Sequence, residues 1–387
     1  MSSNGTLALA DGTGSASNYS LNSTVINIAQ RVLNSSGSKT YDANTDALAA
    51  AITLSNLVSG EALNHSGTAT IGSANAGSYT ITNLAGITIA DGSGGAASNY
   101  TLTGGTHNFT VDRRVVSVSG TRLYDATTNA VASDLSTHAN LVGSETLNLS
   151  GTGTIASKNV GSNKTVSVGT LALADGSNGG LAANYTLSGG THQLTVNQRP
   201  LNATLARQYD GTTTAAGSTL SSFDALQGGE TLTMTGSGTA ASANVANGIA
   251  MSSNGTLALA DGTGLASNYS LNSTVINIAQ RVLNSSGSKT YDANTDALAG
   301  AITLSNLVSG EALNHSGTAT ISSANAGSYT ITNLSGISIA DGSGGTASNY
   351  TLTGGTHNFT VNRRAVSVSG TRLYDATTNA VASDLST

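Results

Sequence analysis

The chain has 387 residues, of which 9% are charged and 4% aromatic, and it contains 47 glycines, one proline and no cysteine. The absence of cysteine excludes disulfides, thiolate metal sites and a cysteine nucleophile. The formal net charge of −6 offers no basic surface for nucleic acid, and no apolar run reaches the roughly 20 residues of a membrane span.

The sequence repeats at two scales. Residues 251–387 copy residues 1–137 with eight differences, and within this block a Tyr-Asp pair recurs every 82 to 85 residues. The predicted order is the C-terminal part of a module at 1–30, whole modules at 31–113, 114–198, 199–280 and 281–363, and the N-terminal part of a module at 364–387. Module 281–363 is a near-copy of module 31–113. Because both terminal pieces end inside a module, we expect a window cut from a longer array.

Short strands are predicted throughout every module. Polar and apolar residues alternate in Glu145–Ser150, Lys164–Val168 and His192–Val196, with the period of two that is typical of half-buried strands. Gly, Asn, Asp or Ser ends each run, and helical spacing is rare. The pattern predicts an all-β fold, in which small antiparallel β-sandwich modules of about 83 residues and six to eight strands form a rod.

A Tyr-Asp pair lies near the start of each module, with a base (Lys39, Arg122 or Arg207) two residues before the tyrosine. Residues two apart in a strand share a side, so the cation is expected beside the ring while the aspartate caps a turn. A ligand-facing pair is the alternative, but repetition in every module favours a structural role. The predicted structural motif comprises Tyr41, Asp42, Tyr124, Asp125, Tyr209, Asp210, Tyr291, Asp292, Tyr374 and Asp375.

The residue after Tyr-Asp is glycine only at Gly211. Alanine takes this place in the other copies, at Ala43, Ala126, Ala293 and Ala376. Because alanine disfavours positive φ, this turn is expected not to need a left-handed backbone.

An arginine marks each predicted module joint, at Arg31, Arg114, Arg199, Arg281 and Arg364. The segment 107–119 crosses a joint without proline or glycine, which predicts a stiff connection. Phe109 and Val111 favour one inward face whereas Val116 and Val118 favour the other parity, so the chain should change facing at Arg113 or Arg114. The arginine stems are expected to cover apolar surface between modules, with the charged heads in water.

No arrangement suited to catalysis, cofactor binding or metal binding is evident. The Asp-Gly loops have one carboxylate each and differ in length, which argues against structural calcium. The histidines are interpreted as solvent-facing strand residues at different module positions, and the glutamates as isolated residues in turns. The loop aspartates are Asp11, Asp91, Asp175, Asp261 and Asp341; the histidines of the first two modules are His65, His107, His138 and His192; the glutamates are Glu61, Glu145, Glu230 and Glu311. The chain is therefore not expected to be an enzyme.

Four motifs occur in a fixed order. They are the Tyr-Asp-(Ala/Gly)-x-Thr opening, the Gly-(Gly/Ser)-Glu-Thr-Leu segment at 143–149 and 228–234, the Ala-Ser-Lys-Asn-Val-Gly run at 156–161 and the Asn-Tyr-Thr-Leu segment at 184–187. This combination resembles the YDG repeats of filamentous-haemagglutinin-like adhesins, which are large exoproteins of Gram-negative bacteria that commonly use two-partner secretion. The resemblance implies an extracellular location, on the cell surface or in the biofilm matrix.

These observations predict a structural stalk or fibre repeat that spans distance and supports cell adhesion. The expected partners are neighbouring modules of the same chain, other fibres and extracellular polysaccharide, with no nucleic acid and no membrane span. The alternative is a multivalent array of weak carbohydrate-binding modules. Such sites usually present aromatic platforms, and each module has few tyrosines or phenylalanines outside the repeated motifs.

Overall fold

The computed structural model of the chain describes residues 7–22 and 24–386. Residues 1–6, 23 and 387, which belong to the two predicted terminal pieces, lie outside the described residues. The chain divides into two compact units. The first unit comprises the described residues up to Arg122 together with Thr127–Asn197, and the second comprises Leu123–Ala126 and the described residues from Gln198 onward.

Short strands form the first two predicted modules. Those of module 31–113 are β1 (Arg31–Val32), β2 (Asn34–Thr40), β3 (Asp46–Leu48), β4 (Ile52–Ser55), β5 (Leu63–Ile71), β6 (Gly77–Asn83), β7 (Ile87–Asp91), β8 (Tyr100–Thr101) and β9 (His107–Asp112). Those of module 114–198 are β10 (Arg114–Val115), β11 (Ser117–Leu123), β12 (Asn129–Val131), β13 (Thr137–Ala139), β14 (Leu147–Ser150), β15 (Thr152–Ile155), β16 (Gly161–Ser167), β17 (Ala172–Asp175), β18 (Tyr185–Thr186) and β19 (Gln193–Asn197).

The other two modules follow the same plan. Module 199–280 contains β20 (Arg199–Gln208), β21 (Thr214–Ala216), β22 (Leu220–Phe223), β23 (Leu232–Thr235), β24 (Ser237–Ala240), β25 (Ala246–Ser253), β26 (Ala258–Asp261) and β27 (Tyr269–Ala279). Module 281–363 contains β28 (Arg281–Val282), β29 (Asn284–Thr290), β30 (Asp296–Leu298), β31 (Ile302–Ser305), β32 (Leu313–Ile321), β33 (Gly327–Asn333), β34 (Ile337–Asp341), β35 (Tyr350–Thr351) and β36 (His357–Asn362). The predicted all-β class is confirmed.

Three-residue 3₁₀ turns are the only helical elements in the described part of the chain, where no helix is long and apolar enough to cross a membrane. They are Ala16–Asn18, Ala49–Ala51, Ala97–Asn99, Ala132–Asp134, Ala182–Asn184, Gly217–Thr219, Ala266–Asn268, Ala299–Ala301, Ala347–Asn349 and Ala382–Asp384.

Each module contains one curled main sheet of six or seven strands, together with one or two separate pairs of short strands. In module 31–113 the strand order is β3-β5-β6-β9-β2-β4, and β7 pairs with the first half of β5. Most pairs are antiparallel, as the sequence predicts, but β2 and β9 are parallel along six residue pairs, from Ser35 with His107 to Thr40 with Asp112. The same parallel pair joins β20 to β27 and β29 to β36. Because its first and last long strands run in the same direction, the chain enters a module at one end and leaves at the other.

The inward face of the sheet changes parity at the joint between the first two modules. Phe109 and Val111 are buried on β9, and Val116 and Val118 are buried after the arginine pair. The predicted change of facing around Arg113 is confirmed, since a strand that kept its parity would expose one of these two pairs.

The long strand β5 bends at Gly67, where φ is +99°. A β-carbon at this position would lie 1.9 Å from the carbonyl oxygen of Gly86, so a larger residue cannot take this place without moving the backbone. Gly151, Gly236 and Gly317 have positive φ at the equivalent positions, and each would bring a β-carbon within 2.2 Å of a carbonyl oxygen. Glycine thus permits the bend that lets one strand serve two parts of the sheet.

The terminal pieces contain no strand within 7–22, 24–30 and 364–386. Residues 24–30 repeat the sequence of 274–280, yet Ile28 is 93% exposed whereas Ile278 on β27 is 1% exposed. The strand β27 pairs with β20 and β25, whereas residues 24–30 pair with no strand among the described residues. Partner strands, rather than local propensity, decide whether this segment is a strand.

We expect Gly67→Ala to destabilise module 31–113 by about 2 to 4 kcal/mol, because the substitution combines a left-handed backbone with a backbone clash. Hydrogen exchange of the β5 amides in the full chain measures this loss. Gly72→Ala is the matched control, since no atom lies within 4 Å of its β-carbon position and the near-copy has Ser322 there. Equal exchange in the two variants would contradict the role given to Gly67.

Candidate functional site

The Tyr-Asp motif forms a tightly bonded turn at the end of β2. Asp42 Oδ1 accepts a hydrogen bond from the Asn44 amide (3.2 Å), as predicted for a capping aspartate. Lys39 Nζ lies 2.9 Å from Asp42 Oδ1 and donates to the Asn44 carbonyl oxygen (2.8 Å). The base two residues before the tyrosine therefore binds the oxygens of the turn. Lys289 makes the same contacts in module 281–363.

The turn has a left-handed residue in all five copies, so the expectation that it does not need positive φ is wrong. The φ angles are 63° at Ala43, 63° at Ala126, 79° at Gly211, 68° at Ala293 and 64° at Ala376. A left-handed alanine costs about 1 to 2 kcal/mol. The charged and amide side chains that hold the turn oxygens offset this cost. The presence of alanine after Tyr-Asp does not by itself reveal their contribution.

A cavity of about 140 Å³ lies beside this turn in module 31–113, and an equivalent cavity is present in module 281–363. Lys39, Asp42, Asn44 and Phe109 are among its lining residues. The lysine and the two polar side chains already bond one another, and Phe109 is buried under the sheet rather than displayed as a platform. The cavity therefore lacks the exposed aromatic face that is typical of sugar sites.

The side chain of Tyr41 points away from its own turn, into the next module of the first unit. Its hydroxyl donates to Glu145 Oε1 (2.8 Å), while the hydroxyl of Tyr185 donates to Glu145 Oε2 (2.6 Å). The two rings meet edge to face, with centroids 5.4 Å apart. The Val142 amide donates to the Tyr185 hydroxyl (3.0 Å), so the second tyrosine is held from its own module as well. One carboxylate thus joins a tyrosine from each of two modules.

Two further side chains, those of Asn184 and Arg114, make hydrogen bonds across the same joint. Asn184 Oδ1 accepts from the Ala76 amide (2.8 Å), and Asn184 Nδ2 donates to Asn75 Oδ1 (3.0 Å). Arg114 donates from Nη1 to the Tyr41 carbonyl oxygen (3.3 Å) and from Nε to the Asn140 carbonyl oxygen (2.8 Å). The predicted joint arginine therefore connects the Tyr-Asp turn of one module to a left-handed asparagine of the next.

The second unit repeats this arrangement between modules 199–280 and 281–363. Tyr209 and Tyr350 donate to the two oxygens of Glu311 (2.7 and 2.6 Å), with ring centroids 5.5 Å apart. Asn349 accepts from the Val245 amide (2.9 Å), and Arg281 donates to the Tyr209 carbonyl oxygen (3.4 Å).

A third copy of the contact lies in the second unit, which includes Leu123–Ala126. Tyr124 and Tyr269 donate to the two oxygens of Glu230 (2.6 and 2.8 Å), and their ring centroids are 5.3 Å apart. Arg199 donates to the Tyr124 carbonyl oxygen (2.7 Å).

The remaining motif tyrosines lack this partnership in the described residues. Tyr291 is 38% exposed, compared with 3% for Tyr41, and Tyr374 is also exposed. Tyr100 donates to Glu61 without a second ring against it. Arg31 bonds Asn56 within its own module, and Arg364 is exposed.

Sequence reasoning missed the glutamates, and their interpretation as isolated turn residues is wrong. Glu145, Glu230 and Glu311 each accept from two tyrosines. A signal is present in the spacing, because each of these glutamates follows the Tyr-Asp tyrosine of the preceding module by 102 to 106 residues and precedes its Asn-Tyr tyrosine by 39 or 40. The set of one glutamate and two tyrosines becomes apparent only when residue spacings are compared across a module boundary.

The expectation that the histidines face solvent at different module positions is wrong for His107 and His192. Both are buried, His107 as the first residue of β9 and His192 directly before β19. His107 Nε2 donates to the Leu102 carbonyl oxygen (2.8 Å) and His192 Nε2 to the Leu187 carbonyl oxygen (2.9 Å). Ser35 Oγ lies 2.9 Å from His107 Nδ1. Each histidine thus connects the loop that precedes the last strand of its module to the core.

Each Asp-Gly loop is held by a hydrogen bond that the aspartate side chain accepts from an amide later in the same loop. Asp91 Oδ1 accepts from the Ala97 amide (2.7 Å) and Asp175 Oδ1 from the Ala182 amide (2.8 Å), which positions the 3₁₀ turn before the Asn-Tyr segment. Within the described ranges no group of three or more His, Cys, Asp or Glu side chains is placed to hold a metal ion.

Comparison with known proteins agrees with this repeat. The profile of the YDG domain matches the chain four times, at residues 28–107, 110–193, 192–276 and 279–358. The chain belongs to the YDG-domain family. Its YDG modules thus correspond to the four predicted modules in number and order, and the bounds assigned to those modules remain predictions.

No curated protein sequence matches this YDG chain. A structural comparison aligns 82% of the chain with the Bacillus anthracis TIE protein at 8% sequence identity and a TM-score of 0.16. The aligned part is 64% of that protein, which is less than two thirds of its length. A TM-score of this size carries no argument about fold or function.

We expect Ala43→Gly to stabilise module 31–113 by about 0.5 to 1 kcal/mol, because relief of the left-handed strain exceeds the entropy that glycine adds to the unfolded chain. Hydrogen exchange of the β2 and β3 amides measures the gain. The reverse change, Gly211→Ala, should destabilise its module, since the new β-carbon would also lie 2.9 Å from Val308 Cγ1. A loss of protection in Ala43→Gly would contradict this account.

Tyr41 and Tyr185 should make the contact between modules 31–113 and 114–198 sensitive to high pH. Burial, followed by the hydrogen bond to Glu145, raises the pKa of Tyr41 and of Tyr185 to about 12. Because the raised pKa favours the neutral phenol in the folded state, the stabilisation is complete below pH ~10 and is lost as the pH rises through about 12. Phenolate absorbance should show one ionisation fewer near pH 12 in Tyr41→Phe and in Tyr185→Phe. An unchanged titration in both variants would refute this prediction.

Proposed function

We propose that this YDG chain is a structural stalk or fibre repeat that spans distance and supports cell adhesion, with no catalytic role of its own. The observation that carries the proposal is the carboxylate shared by two tyrosines, which recurs in both units. An identical polar contact at successive joints is what a spacer requires, because each joint then has a preferred geometry.

The direction of the strands supports the same role. The parallel pair β2 and β9 makes the chain enter a module at one end and leave at the other, so every added module advances the chain. A module whose ends lay side by side would add bulk without length. Length that increases with copy number is the property of repeat arrays that act as spacers.

The joint resists bending because its contacts are spread over separate points. Hydrogen bonds to a charged group are worth about 1.5 to 3 kcal/mol each, and an edge-to-face ring pair adds about 0.5 to 1.5 kcal/mol. In the first unit the Asn184 contacts and the Arg114 contacts act beside the Tyr41 site. Bending the joint would strain these three sets of contacts.

We place this role outside the cell, on the surface or in the biofilm matrix of a Gram-negative bacterium. The motif combination resembles the repeats of filamentous-haemagglutinin-like adhesins, which supports secretion by a two-partner system. The low charge and the absence of cysteine suit a long extracellular array that folds without disulfides. Its proposed partners are neighbouring modules, other fibres and extracellular polysaccharide.

The proposal predicts a fixed angle between modules of the first unit. Because the chain has no cysteine, spin labels on Thr53→Cys and Thr165→Cys in the full chain report only the distance between modules 31–113 and 114–198. Both threonines are exposed on strands. Electron-spin distance measurements should give one narrow distribution. A distribution as broad as that of modules on a flexible tether would refute the stalk.

Glu145→Ala should broaden this distribution, because it leaves the hydroxyls of Tyr41 and Tyr185 without their shared acceptor. Glu61→Ala is the matched control, since Glu61 binds Tyr100 in its own module and has no tyrosine from another module on its carboxylate in the described residues. The control should keep the narrow distribution. Broadening of similar size in both variants would show that the glutamate acts on its own module and not on the joint.

A further inference from the structure

Three pairs of tyrosine rings are held in one geometry. Their centroids are 5.3 to 5.5 Å apart and their planes meet at 76° to 78°. The pairs are Tyr41 with Tyr185, Tyr124 with Tyr269 and Tyr209 with Tyr350. Such constancy in modules with diverged sequences indicates that the shared carboxylate sets the geometry.

The carboxylate also brings the reactive ends of the rings together. Both hydroxyls of the first pair bind Glu145, at 2.8 and 2.6 Å, and the two oxygens of a carboxylate belong to a single carbon. The ring carbons ortho to each hydroxyl are adjacent to the atoms that converge there. These ortho carbons carry much of the unpaired electron density in a tyrosyl radical, so each ring has a coupling position next to the hydroxyl that binds the shared carboxylate.

We propose that each Tyr–Glu–Tyr site is an oxidative cross-linking site, at which a small one-electron oxidant converts the two tyrosines into dityrosine. The product would join residues 144 positions apart in the first pair, and so lock one module to the next by a covalent bond. This inference does not rest on the stalk proposal, because the reaction depends only on the site.

The reaction balances with two equivalents of oxidant. One oxidant takes an electron from Tyr41 while the phenolic proton moves to Glu145 and on to solvent, which leaves a neutral radical. A second oxidant does the same at Tyr185. The two radicals form a carbon–carbon bond between their ortho carbons, and the hydrogen on each of these carbons then moves to its own oxygen and restores the phenol. The protein loses two electrons and two protons in total.

The glutamate would have a chemical part in this step. A buried phenol that loses an electron becomes a strong acid, and its proton must leave at once to avoid a buried positive charge. Glu145 accepts the hydrogen bond along which that proton moves. The edge-to-face arrangement requires one ring to tilt before coupling, so the yield should depend on how closely the carboxylate holds the hydroxyls.

Photochemically generated tris(bipyridyl)ruthenium(III), with persulfate as the terminal oxidant, tests the proposal on the dilute full chain. Because this complex accepts electrons without contacting the ring, burial of Tyr41 does not prevent the reaction. Peptide mass spectrometry should identify three intramolecular links, each with the mass of two peptides less two hydrogen atoms. Tyr100 is the internal control, since it bonds Glu61 but has no ring partner among the described residues.

Two variants test the roles of the tyrosine and of the glutamate in the reaction. Tyr41→Phe should abolish the first link and leave the Tyr209–Tyr350 link at its original yield, which also shows that the second unit is folded. Glu145→Gln can still bind a hydroxyl but cannot take up its proton, so the first link should fall several-fold relative to the Tyr209–Tyr350 link. Oxidised chain without a Tyr41–Tyr185 link, or with Tyr100 linked as often, would overturn the proposal.

Discussion

The structure depends on a carboxylate that sits between two modules and needs donors from both. Glu145 lies where two buried rings meet, and a polar group in such a place is tolerated only if hydrogen bonds replace the water that it loses. Tyr41 and Tyr185 supply one bond each, and the two tyrosines belong to different modules. The hydrogen bonds of the Glu145 side chain thereby fix the position of one module relative to the next.

Much of the fold could be predicted from sequence because strand alternation and repeat spacing are local or periodic signals. The buried pairs Phe109 with Val111 and Val116 with Val118 follow directly from parity. The parallel pairing of β2 with β9 could not be predicted, since alternation is the same for either direction. Residues 24–30 show the same limit, because an identical sequence at 274–280 is a strand only beside β20.

The site was harder to predict because its members belong to different modules. The Tyr-Asp motif is visible in the sequence, but the partner of the Tyr41 hydroxyl is 104 residues away, and comparison within one module leaves Glu145 without a tyrosine from another module. The strained backbone of the Tyr-Asp turn could not be predicted from the sequence for another reason. Ala43 takes a left-handed conformation because Lys39 and Asp42 hold the turn, and composition alone shows only that glycine is missing.

The parallel arrangement of β2 and β9 also determines how a module responds to tension. A force that separates the ends of the module pulls β2 and β9 in opposite directions along their common axis. All six residue pairs between them are then loaded together, rather than opened one after another as in a hairpin pulled from its ends. Shear of this kind must break the whole ladder in one event, so a pulled YDG module should yield abruptly and at high force.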